Sequence, residues 1–227
     1  MQKEYEIIGL HSYLLAMIFE AIDANNKDFE KITAKIVHLE KTPFDLFCGS
    51  EYKVETIDNS TVYVKEWTPN PKACKFVLAE GSRDRENRWD LIEKQYDVRP
   101  RQHAIIIHPT ASIASTATIE PGTYIGPNSS VGPYAVIKQG CWINRNVSIG
   151  HHTILSKFST LNPGSNIGGK CTIGECVTIG MGANVFDHVV IGGFSVIGGG
   201  SVVTKSVGGA SVFYGNPVKF IRKINID

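Results

Sequence analysis

The chain's seven histidines and five cysteines are its candidates for acid–base, nucleophilic or metal chemistry. Histidine suits proton transfer near neutral pH, because its ordinary pKa near 6.5 leaves a neutral, basic form available. Two histidines stand side by side in Ile149-Gly150-His151-His152, shortly after Asn144. The cysteines are scattered, with no Cys-x-x-Cys pair, and read as reduced thiols of a cytoplasmic protein. A third candidate is Gly9-Leu10-His11-Ser12, which follows a strand-like run and precedes a helix-like one. A strand, a glycine turn and a helix start leave backbone N–H groups pointing at a place for a phosphate. A plain strand-to-helix turn has the same pattern.

His151 and His152 lie inside a repeat. Read in sixes from Ile107, the chain has an aliphatic residue at the first position of seventeen successive hexads, ending at Val203. The fifth position is always small or β-branched, from Ala111 to Val207, and the second is glycine eight times. An amphipathic helix needs a period near 3.6 and a simple strand a period of two, so a strict six means a repeat solenoid. Three hexads make one triangular coil, with aliphatics inside, short strands on the sides and tight corners that often need glycine. No hexad is interrupted, so no long loop leaves the solenoid.

Composition changes sharply ahead of this stretch. Only Gly9, Gly49 and Gly81 of the 22 glycines precede residue 105, whereas 18 of the 22 acids do. A domain boundary is expected near Pro100–Ala104, giving units 1–104 and 105–227. In the first, Tyr5–Leu10, Ile32–Leu39 and Lys75–Glu80 read as strands. Leu14–Ala24 and the stretch from Ser82 through Tyr96 read as helices. Tyr52–Ile57 and Ser60–Lys65 read as a hairpin turning at Asp58-Asn59. Strand–helix–strand alternation predicts a small α/β domain with a parallel sheet. The formal net charge of +1, with no basic block, gives no sign of nucleic acid or a membrane surface as partner. No signal peptide and no apolar run of spanning length is apparent.

The hexad run resembles the hexapeptide-repeat acyltransferases, which implies a left-handed parallel β-helix. A small Rossmann-like domain ahead of it resembles the bacterial sugar O/N-acyltransferases, including the sialic-acid O-acetyltransferases and the UDP-4-amino-sugar N-acetyltransferases. The resemblance spans essentially the whole chain. In that family a Gly-His-Gly loop holds the sugar nucleotide; Leu10-His11-Ser12 falls in its place, in a shorter loop without those glycines, so Gly9, His11 and Ser12 are the substrate-binding candidates. The family's Asn, then His, then a Pro-Gly segment align with Asn144, His151 and Asn162-Pro163-Gly164. The resemblance thus implies that His151 is the general base, Asn144 a substrate contact and acetyl-CoA the acyl donor. The carboxylate that follows the family's histidine is here His152, and a family histidine at the acetyl-CoA site is here Thr160. Positions lining the acetyl-CoA cleft fall on Met181 and Gly199. The tail Gly215-Asn216-Pro217-Val218-Lys219 resembles the family's Gly-x-Pro-Ala-Lys ending.

Spacing adds an independent geometry. Residues 18 apart lie one coil above each other, so His151 lies between Pro133 and Gly169, and His152 between Tyr134 and Lys170. Gly169 is expected to leave an open floor for substrate beside His151. Asp187, two coils from His151, is expected roughly 9.6 Å away, twice the parallel-strand spacing. A γ-class carbonic anhydrase has the same solenoid with three zinc-binding histidines. His152 and His188 also lie two coils apart, too far for one zinc with bonds of about 2.1 Å to join within one chain. A zinc site built by His151, His152 and His188 across subunits stays open as an alternative, as does a non-catalytic assembly module. The reading adopted is a metal-free, cytoplasmic, homotrimeric enzyme that uses acetyl-CoA to N-acetylate a nucleotide-linked 4-amino-4,6-dideoxy sugar, with sugar O-acetylation as the runner-up.

Overall fold

The structure, a computed structural model, describes residues 2–8, 12–25, 31–38, 57–63, 72–77 and 82–226. The chain divides into two compact units, Met1–Pro109 and Thr110–Asp227.

The first unit contains strands β1 (Gln2–Ile8), β2 (Lys31–His38), β3 (Ile57–Tyr63) and β4 (Cys74–Val77), with helices α1 (Ser12–Asn25) and α2 (Ser82–Tyr96). The sheet runs β3-β2-β1-β4, and its described pairs are all parallel. Ile18, Ala21 and Ile22 are buried at the i, i+3, i+4 spacing of one helical face of α1. On α2 the buried set is Arg85, Trp89 and Ile92, again one face. The hairpin expected at Asp58-Asn59 is not formed. Ile57–Tyr63 runs straight through those residues as one strand, parallel to β2 from Ile32↔Ile57 to His38↔Tyr63. Continuous pairing along β2 overrides the weak local turn preference of the Asp-Asn pair. The rest of that expected hairpin lies outside the described residues.

The second unit is a parallel β-solenoid of about six coils. Its strands are two residues long and pair at a constant offset of 18, as in Val136↔Ile154, Trp142↔Thr160 and Ser148↔Asn166. One sheet stacks Thr118–Ile119, Val136–Ile137, Ile154–Leu155, Thr172–Ile173 and Val190–Ile191. The second includes Tyr124–Ile125, Trp142–Ile143, Thr160–Leu161, Thr178–Ile179 and Val196–Ile197. The third runs from Ser112–Ile113 through Ser130–Val131, Ser148–Ile149, Asn166–Ile167 and Asn184–Val185 to Val202–Val203. The first residue of each hexad points inward: Ile143, Leu155, Leu161, Ile173, Ile179 and Ile191 are fully buried. Small fifth-position residues such as Ala135, Thr153, Ser159 and Ala183 fill the space beside them.

Glycine has a second task here besides the corner turn expected of it. The left-handed turn falls on the fourth residue of the hexads from Gly122 to Gly200; glycine takes it at five of them, and tyrosine, histidine, lysine, phenylalanine and cysteine take it as well, with φ between 52° and 63°. The second-position glycines are needed for coil-to-coil approach. A Cβ on Gly150 would lie 2.5 Å from the backbone of Gly168 and Gly169. After the last coils, Ser211–Tyr214 joins the second sheet and Lys219–Lys223 folds back on it antiparallel. Among the described residues no helix is long and apolar enough to cross a membrane.

Candidate active site

His151 and His152 occupy the corner between the third and first sheets, between strands Ser148–Ile149 and Ile154–Leu155. His152 takes the left-handed turn at φ 58°, and both side chains project outward. The backbone here is held by the coils on either side: His152 N–H donates to Pro133 C=O at 2.9 Å, and Lys170 N–H to His151 C=O at 2.8 Å. The two imidazoles meet edge to face, with Nδ1 of His151 3.1 Å from Nδ1 of His152. One nitrogen of that pair donates and the other accepts, so the contact ties the tautomers of the two rings together. With the proton on His151 Nδ1, the lone pair of His151 is on Nε2. The ring of Tyr134, one coil back, lies 4.9 Å from that of His152 and tilted by 33°.

The open floor expected at Gly169 is occupied. A Cβ on Gly169 would come within 2.7 Å of His151 Nε2 and 2.9 Å of Cε1. The His151 ring itself lies in the space that the absent side chain leaves, because residue 169 stacks directly over residue 151. Gly169 N–H in turn donates to Asp187 Oδ1 at 2.6 Å. Asp187 stands two coils from His151 along the backbone, as the 18-residue offset predicts. Its side chain reaches back one coil and bonds Gly169, against which the His151 ring lies.

The other candidates lie elsewhere. Asn144, Met181 and Gly199 belong to the corner between the second and third sheets. Thr160 is buried on the strand that leads into it. Asn144 is buried; its Oδ1 accepts the Arg145 N–H at 2.9 Å and its C=O the Ser129 hydroxyl at 2.7 Å. Met181 is 64% exposed, and its C=O would be 3.2 Å from a Cβ on Gly199. Gly182 and Gly200 turn at φ 65° on this corner, and nothing lies within 4 Å of where their Cβ atoms would be. Within one chain the strands of the third sheet separate this bare corner from His151. Gly9 and His11 lie outside the described residues, and Ser12 is the first residue of α1. His188 stands two coils from His152 with Lys170 between them, and no group of three or more metal-binding side chains occurs among the described residues. Tyr134 and Asp187 are the site residues that spacing did not single out for a role, although the 18-residue offset pointed to both positions.

Residues 122–157 match the family model of the bacterial transferase hexapeptide (six repeats). No curated protein sequence matches the chain. Its fold is that of several solved structures. The acetyltransferase domain of PglB from Neisseria gonorrhoeae FA1090, in complex with acetyl coenzyme A, superposes with a TM-score of 0.80 at 20% identity, over 97% of this chain and 100% of that one. A mutant perosamine N-acetyltransferase from Caulobacter crescentus, in complex with CoA and GDP-perosamine, gives 0.79 at 20% identity over 97% of both chains. WeeI from Acinetobacter baumannii AYE gives 0.70 at 18% identity, over 97% of this chain and 100% of that one.

Proposed function

We propose that this hexapeptide-repeat chain is an acetyl-CoA-dependent N-acetyltransferase of a nucleotide-linked amino sugar, of the 4-amino-4,6-dideoxy type, with His151 as general base. The observation that carries this reading is the Nδ1–Nδ1 contact of His151 and His152 on an exposed solenoid corner. With His151 donating from Nδ1, Nε2 is left to take a proton, the orientation a carboxylate partner would otherwise impose. In the reaction the sugar amine attacks the thioester carbonyl carbon. A C–N bond forms, the amine proton passes to His151 Nε2, the C–S bond breaks, and CoA leaves as the thiol after taking up a proton. The ligands of the similar structures, acetyl-CoA on one and CoA with GDP-perosamine on another, support this substrate pair.

In this reading residues 105–227 form a left-handed β-helix and residues 1–104 a Rossmann-like domain for the sugar nucleotide, with Gly9, His11 and Ser12 at the phosphates. The parallel order β3-β2-β1-β4 supports it, being the order of one half of a doubly wound sheet. Thr160, Met181 and Gly199 are assigned to acetyl-CoA. The open space over Gly182 and Gly200 fits an extended chain such as its pantetheine arm. Asn144 is assigned to the sugar. Because the base and the bare corner are separate within one chain, a second copy must bring them together, and a closed three-fold ring does so. In this reading the enzyme is a homotrimer, and its place is the cytoplasm. Sedimentation should give three times 24.9 kDa; a monomer at micromolar concentration would sink the shared site. The activity itself is tested by thiol release from acetyl-CoA with a panel of nucleotide-linked amino sugars. No turnover on any amine, with turnover on the matching hydroxyl sugars, would replace N-acetylation by O-acetylation.

A further inference from the structure

Each corner of the solenoid has a backbone N–H at its third position that the coil-to-coil ladder does not use. Proline removes that donor at residues 121, 127, 133 and 163. At two other corners a side chain caps it: Asn144 Oδ1 accepts from Arg145 N–H, and Glu120 Oε2 from Gln139 N–H at 3.0 Å. Asp187 caps Gly169 in the same chemical sense, but what rests on the capped residue is different. The peptide between Gly168 and Gly169 is held from both sides, its C=O by the Thr153 hydroxyl at 2.7 Å and its N–H by Asp187 Oδ1 at 2.6 Å. Gly168 makes room for this, since a Cβ there would lie 2.7 Å from Asp187 N. The far side of Gly169 is the surface against which the His151 ring packs, through Nε2, Cε1 and Cδ2. No ion pair joins Asp187 to either nitrogen of His151 among the described residues.

We propose that Asp187 is a positioning residue for the base: by fixing the Gly168–Gly169 peptide it fixes where the His151 imidazole lies. It acts through the backbone and not by charge on the ring. A displacement of about 1 Å at a reacting group can cost up to about 100-fold in rate, so a loosened ledge should be visible in turnover. The inference rests on the assignment of His151 as base, and the test separates the two.

The variants are Asp187→Ala, which removes the acceptor, Asp187→Asn, which keeps an acceptor without the charge, and Glu120→Ala, which removes a like cap on another corner. Turnover with acetyl-CoA and GDP-perosamine is followed together with the 13C-edited Hε1 resonance of His151, assigned by its loss in His151→Ala. Asp187→Ala is expected to lower kcat about 10-fold with both KM values within about 2-fold, and to shift or broaden the Hε1 line. Asp187→Asn should restore both to within about 2-fold of wild type, and Glu120→Ala should change neither. Should Asp187→Ala not fold, Asp187→Ser, too short to reach Gly169, takes its place. Wild-type kcat and an unmoved Hε1 line in the Ala or Ser variant overturn the positioning role. Loss in Asp187→Asn equal to that in Asp187→Ala overturns action through the backbone. If His151→Ala itself keeps full turnover, the base assignment falls, and the Hε1 line alone then decides whether Asp187 positions the ring.

Discussion

Two corners of the same solenoid use one backbone turn and carry opposite surfaces. At the corner of His151 the left-handed position holds Tyr134, His152, Lys170 and His188 on successive coils, with φ between 56° and 63°. At the corner of Met181 the equivalent position on three successive coils holds Gly164, Gly182 and Gly200, with φ between 65° and 71°. The turn therefore does not demand glycine, because bulky side chains take nearly the same conformation one side away. What differs is the space outside. The first corner is filled by side chains, with the ring of His152 in contact with those of Tyr134 and His151, and the second is left as open backbone. The lesson is that repeat position sets conformation, while the identity of the side chain sets whether a corner is filled or left open.

The largest effect should come from the filled corner. His151→Ala is expected to lower kcat by about 10²–10⁴-fold, the usual range for a lost general base. Acetyl-CoA affinity and the unfolding midpoint should stay near wild type, because His151 is exposed. Isothermal titration beside steady-state kinetics checks this, and near-wild-type turnover would remove His151 from the mechanism. The bare corner should respond the other way. Gly182→Asn puts a residue that tolerates the left-handed turn into the open space. It should weaken acetyl-CoA binding about 10-fold while kcat at saturation stays within about 2-fold. A loss of kcat with unchanged affinity would mean that the two corners are not divided between base and donor.

A finer test concerns what orients His151, the proposed base. His152→Asp keeps a residue suited to φ 58° and replaces a neutral acceptor by a carboxylate. A carboxylate stabilises the imidazolium of His151, so the acid limb of the kcat/KM profile should move to higher pH. Lys170, His188, Asp187 and Tyr134 share the corner and are unchanged, so the shift reports on position 152. A superimposable acid limb in the folded variant would show that residue 152 does not tune the base. The smallest effect lies under the corner. Burial pushes the Cys171 thiol above its ordinary value of 9.0. The unfolded chain therefore ionises first, and stability present below about pH 9 is lost as pH rises past it. Cys171→Ala should flatten that alkaline decline in denaturant midpoints; an equally steep decline would assign it to other groups.

Much of this was legible in the residues. A period of six with an aliphatic at every first position left a solenoid as the reading, and its offset of 18 stacked His151 under Gly169 and His152 on Tyr134. The helices at Ser12–Asn25 and Ser82–Tyr96 were visible from their apolar spacing. The hairpin expected at Asp58-Asn59 gives way to a straight strand because its partner, β2, lies more than 20 residues away in sequence. The contacts around His151 were out of reach for a related reason. A coil's path is set by its own six residues, repeated, so sequence alone determines it. Where a side chain lies depends on which neighbours the next coil leaves room for. Only the stacked structure shows His151 filling the space beside Gly169 and Asp187 reaching back one coil, because both follow from the missing Cβ atoms of Gly168 and Gly169 and from an N–H that the ladder leaves unbonded.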